Sequence, residues 1–154
     1  MANSDSDRKI KMFFDKTRKR TVNVEKKIMK DALDSLYEFS PHYMDPDSPF
    51  ANGEYEINHK VSVNDGETTS HHPPIGSGQQ TKGAIEEGHL KEFIEKEKDR
   101  VDAAKCGDSV SIFNTTAHAD AVETGDDPVW QKEGYFPYKR TKDYLKKRYK
   151  NVLK

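Results

Sequence analysis

Cysteine is almost absent from these 154 residues. Cys106 stands alone, so no disulfide forms within the chain and no zinc site can be built on paired thiolates, which fits a reducing compartment. Long apolar runs are missing as well: no stretch nears the roughly 18 residues a membrane helix needs. Met1–Asp7 has neither the basic nor the apolar region of a secretion signal. The expectation is a soluble protein made in a cytoplasm, with no membrane partner. Apolar residues make up 32% of the chain, about 38% with its nine glycines, against roughly 45 to 50% in an ordinary globular protein. So thin a core gains from neighbours, because burial contributes only about 25 cal/mol per Å².

Signatures of catalysis are lacking too. There is no hydrolase elbow, phosphate loop, dinucleotide fingerprint or kinase motif, and Gly76-Ser77-Gly78 precedes no phosphate-binding helix. Cys106 has no evident base to activate it and reads as a structural thiol at a helix end. His118-x-Asp120-x-x-Glu123 could be drawn as a metal site, but the better-attested His-Glu-x-x-His spacing is absent. The expectation is no enzyme, no cofactor, no metal and no catalytic residue.

What is present is charge, at 34% of residues, with a net of −1 that hides an asymmetry. Arg8–Lys30 is basic, the middle is acidic, and Lys139–Lys154 carries eight cations against Asp143 alone. The plain reading is solvated helix faces with cations near helix ends. The alternative function is a small nucleic-acid-binding module that uses these basic terminal helices, with binding that collapses as salt rises.

Periodicity predicts a single α+β domain over residues 1–154: a small antiparallel sheet packed against two or three helices, with a long mobile arm. Residues 1–7 are a polar leader. Ile10, Met12, Phe13 and Phe14 predict one side of a short helix capped near Ser6 or Asp7. The principal helix runs through Val24, Ile28, Met29, Ala32, Leu33, Leu36 and Tyr37, and Pro41 ends it. Tyr55, Ile57, His59, Val61 and Val63 alternate with polar residues, which predicts a half-buried strand closed by an Asn64-Asp65-Gly66 turn. Residues 67–83, with His71 and His72, have almost nothing to bury and read as a flexible arm. Helical spacing resumes over Ala84–Ala104, followed by a strand over Ser109–Phe113 and a short element from Ala117 closed by Gly125. The aromatics Trp130, Tyr135, Phe136 and Tyr138 precede a last helix. Glu123 reads as a carboxylate that accepts hydrogen bonds from nearby backbone N–H groups or from a neighbour's basic side chain.

Taken together, Ser40-Pro41, Asp45, the Tyr55–Val63 segment, Asn114, Ala119, Glu123-Thr124-Gly125 and Trp130 make the chain from about Val22 onward resemble the tail-completion or head-tail joining proteins of tailed bacteriophages. His118 stands where that family usually has Tyr, and the Met44–Pro49 loop is longer than the family's compact turn. The resemblance implies a virion structural protein of the neck: a ring, sixfold in expectation, between the head connector or stopper and the tail tube or its terminator, with DNA passing through. It implies subunit contacts at Tyr55, Ile57 and Val61, at His71 and His72 in the arm, and at Glu123, Trp130 and Tyr135. A channel that lets DNA slide should not grip phosphates, so the acidic middle is expected to border the lumen and the basic helices to meet neighbouring proteins.

Overall fold

The computed structural model describes residues 5–41, 54–66, 87–126 and 134–152. Five helices and two strands follow in the order α1 (Asp5–Phe39), α2 (Glu54–Ile57), β1 (His59–Val63), α3 (Glu87–Ala103), β2 (Val110–Asn114), α4 (Ala119–Thr124) and α5 (Pro137–Arg148). The fold is α+β, with a two-stranded antiparallel sheet against helices.

The two helices expected at the start are one. α1 runs unbroken for 35 residues, because no Gly or Pro interrupts it before Pro41 and its exposed positions are rich in good helix formers. Its second half supplies the core: Leu33 packs with Val61 of β1 and Val101 of α3, flanked by Met29, Val63, Val110 and Ile112. Ile57 and Leu90 form a second cluster with Tyr37 and Phe93. Burying a side chain such as Leu33 contributes about 1.5 to 3 kcal/mol. α5 lies antiparallel on the same half of α1. Near its start Arg140 stacks over the Phe39 ring at 4.2 Å; at its end Arg148 Nε meets Asp31 at 3.1 Å, and the Tyr149 hydroxyl donates to the same carboxylate.

The first half of α1 is different. Every side chain from Arg8 to Thr21 is exposed, so Ile10, Met12, Phe13 and Phe14 do not pack as the spacing suggested.

The strand expected over Tyr55–Val63 begins only at His59. Its first residues form the single turn of α2, with Asn58 N–H donating to the Tyr55 carbonyl at 3.3 Å. Nor is the segment half-buried: every side chain from Tyr55 to Ser62 is buried, because α3 covers the side of the sheet that periodicity leaves to solvent. Lys60 is 1% exposed; its Nζ donates to the Ile57 carbonyl at 3.2 Å and lies 3.8 Å from Glu97. Burial pushes the Lys60 ammonium below its ordinary value, and Glu97 pulls it back. On the β1 edge away from β2, Glu97 accepts the Val61 N–H at 2.8 Å and Arg100 donates to the Val61 carbonyl at 3.2 Å. These side chains occupy backbone groups that an open strand edge would offer to another chain.

The turn after β1 is as expected, with Asn64 and Asp65 in the left-handed region and Gly66 N–H closing on the Val63 carbonyl at 3.0 Å. Residues 67–83, and with them the expected arm, lie outside the described residues.

Candidate functional site

Three arrangements stand out. The first is a buried polar hub on His59. Ser40, in the residue after α1, donates its hydroxyl to the Leu36 carbonyl at 2.5 Å. With that proton committed, Ser40 Oγ accepts from His59 Nε2 at 2.9 Å. The opposite ring nitrogen, Nδ1, then accepts from the Tyr138 hydroxyl at 3.2 Å. This bookkeeping fixes a neutral imidazole with its proton on Nε2. Burial, helped by the Lys60 charge, pushes the His59 pKa down to about 3. A serine and histidine at this distance suggest a nucleophile and its base, but the proton directions are the reverse of that chemistry: the histidine donates and the serine has none to give it. The pair therefore joins α1, β1 and α5.

The hub extends through Asn114 at the end of β2. Its amide donates to the Tyr55 carbonyl at 2.8 Å, and its oxygen accepts from the Thr116 N–H at 2.9 Å and hydroxyl at 2.6 Å. The Tyr55 carbonyl thus accepts both the Asn114 amide and the Asn58 N–H of the α2 turn, and β2 ends at Asn114, opposite His59. The Tyr55 ring packs edge-on against His59 with centroids 5.1 Å apart. Burial raises the Tyr55 pKa, with Glu123 and Asp120 adding to it. Its hydroxyl finds no hydrogen-bond partner among the described residues.

The second arrangement is the Glu123 clamp. Its two carboxylate oxygens accept the N–H groups of Tyr138 and Lys139, each at 3.0 Å, so a residue of α4 caps the first turn of α5. The capped turn has no local cap, since Phe136 precedes it with a left-handed backbone and no side-chain hydrogen bond. The negative charge also meets the positive end of the helix dipole. Tyr135 and Phe136 donate their N–H groups to the Val122 and Glu123 carbonyls. That ladder draws Gly134 so close that a Cβ there would lie 2.5 Å from the Glu123 carbonyl oxygen. Gly125 ends α4 at φ 74°.

The third is the projecting half of α1. Ile10, Met12, Phe13 and Phe14 are 55%, 63%, 67% and 57% exposed. Residues 8–20 carry seven Lys or Arg against Asp15, a net of +6, which leaves −7 for the rest of the chain.

The residues expected at subunit contacts therefore separate. Tyr55, Ile57 and Val61 are at most 2% exposed and belong to the chain's own core, so they present no surface to a neighbour. Glu123 accepts backbone N–H groups, one of the two partners expected of it, and Tyr135 is half-buried beside it. His71, His72 and Trp130 lie outside the described residues. His118 sits against Tyr55, ring centroids 6.4 Å apart, and no group of His, Cys, Asp or Glu able to hold a metal occurs among the described residues. Sequence reasoning missed Ser40, His59, Asn114 and Tyr138 as one hub, because their sequence separations of 19 to 79 residues leave no local signal. Phe13 and Phe14 were visible and assigned to packing.

No helix among the described residues is long and apolar enough to cross a membrane. No known protein family, curated protein or solved structure matches the chain.

Proposed function

We propose that this chain is a structural adaptor of the tailed-phage neck, forming a ring that joins the head connector to the tail tube and lets DNA pass. The observation that carries the reading is the projecting half of α1. Single exposed apolar side chains are ordinary, but Ile10, Met12, Phe13 and Phe14, all more than half exposed within five positions of one helix, make a patch of the kind that marks a protein contact. A helix anchored in its own body at one end and exposed along the other is suited to engaging a neighbour. The motif residues behind the resemblance also have physical roles at the joints of the fold. Asn114 ties β2 to α2, Glu123 caps α5, and Gly125 supplies the left-handed end of α4. The charge balance adds a second support, since a body of net −5 over residues 22–154 suits a lumen through which DNA slides without being gripped.

The test is mass photometry and electron microscopy of the protein alone and with purified tail tubes, at two salt concentrations. Rings, or caps on one end of the tubes, are expected. The nucleic-acid module would instead give a monomer that ignores tubes and binds duplex DNA only at low salt.

A further inference from the structure

Beside the middle of α1, where α3 ends and β2 begins, there is a cavity of about 300 Å³ lined by Val22, Met29, Val101, Ala104 and Val110. Its charged lining is mixed, with Glu25 and Asp108 against Lys26 and Lys105. An enclosed apolar cavity of about 150 Å³ admits one benzene; this pocket is open to solvent and has about twice that volume, so two phenyl rings can enter from outside. The same chain carries two such rings, adjacent and exposed: Phe13 and Phe14, packed edge to face with centroids 6.0 Å apart.

They cannot fill their own cavity. Phe14 and Val22 belong to one continuous helix, eight residues and therefore about 12 Å apart along its axis. Only a second molecule can bring the pair to the site. Charge decides how. Two projecting halves side by side would set +4 against +4 over residues 5–21, whereas one such half on the body of another copy, residues 22–154, sets +4 against −5.

We propose that Phe13 and Phe14 of one copy seat in the Val22–Met29–Val101–Ala104–Val110 cavity of the next, so that each copy gives one helix end and receives one. Such a contact is heterologous, and repeated it closes into a ring or runs on as a filament. The closure, and nothing else here, rests on the adaptor reading above.

The test uses the full chain and two variants. In the first, Phe13→Ser and Phe14→Ser remove two rings that are 67% and 57% exposed, so folding is retained. In the second, Val22→Trp fills the cavity from a partly exposed position. Wild type self-associates, and each variant alone is at least tenfold weaker, as for loss of a central aromatic anchor. Mixed one to one, the variants give a heterodimer and stop there, because only one productive contact remains between them. If Val22→Trp does not fold, the ring-deleted variant alone still decides. The proposal is overturned if that variant associates as wild type does, if the folded pair gives no heterodimer, or if wild type stays monomeric while binding vesicles of phosphatidylserine and phosphatidylcholine. The adaptor reading can fail separately. Variant-sensitive oligomers that ignore tail tubes keep the contact and remove the adaptor; tube caps that survive loss of both rings do the opposite.

Discussion

The two halves of α1 share one helix and differ in everything that acts on it. From Val22 to Phe39 the helix is held by the core, by α5, and by Ser40 through His59. From Arg8 to Thr21 every side chain is exposed, and the segment carries a Phe pair and six net positive charges. Apolar residues at helical spacing thus serve two ends. Where an opposing surface lies among the described residues they make a core, and where none does they stay exposed, the face proposed above for docking.

That contrast can be broken experimentally. Leu33→Ala in the anchored half should cost about 2 to 5 kcal/mol in chemical denaturation; a loss below 1 kcal/mol would mean the half is not anchored as described.

Acid should act on the anchored half next. His59 in the folded chain has its pKa lowered to about 3, so the unfolded chain takes up a proton near pH 6.5 that the folded chain refuses. Stability is complete above that value and falls as pH drops, by about 1.4 kcal/mol per unit between pH 6 and pH 4. Denaturation midpoints across this range should show that slope in the wild type and lose it in His59→Asn. An unchanged slope would show that other groups dominate.

Glu123→Gln should cost about 1 to 3 kcal/mol, since the amide keeps one acceptor oxygen, loses the charge, and turns an NH2 donor toward the N–H that the second carboxylate oxygen accepted. Amide exchange should quicken first at the α5 amides of Tyr138 and Lys139. Smallest of all, Phe13→Ala in the projecting half should move monomer stability by less than about 0.5 kcal/mol. A larger shift, read by thermal denaturation at a concentration too low for association, would mean that the half is packed after all.

Much of the fold was legible because its signals are local. The Asn64-Asp65-Gly66 turn, the left-handed Gly125, the end of α3 at Ala103 beside the expected Ala104, and the Glu123 bonds to backbone all depend on residue chemistry at or near the position. The α+β class followed from periodicity. The failures are non-local. Tyr55 and Ile57 alternate as a strand does, but their would-be partner strand stops at Asn114, opposite His59, and the Asn114 amide, 59 residues from Tyr55, binds the carbonyl of a helical turn. Lys60 reads as solvent-facing and is buried because Glu97 of α3 lies against it. Ile10, Phe13 and Phe14 read as packed because spacing reveals an apolar face without revealing what covers it.

Assembly through the projecting half of α1 is decided by imaging the wild-type chain and its Phe13→Ser, Phe14→Ser variant, alone and with tail tubes, at low and moderate salt. Rings or tube caps are expected from the wild type and dispersed particles from the variant. A wild type that stays dispersed, ignores tubes and binds duplex DNA only at low salt would rule this assembly out.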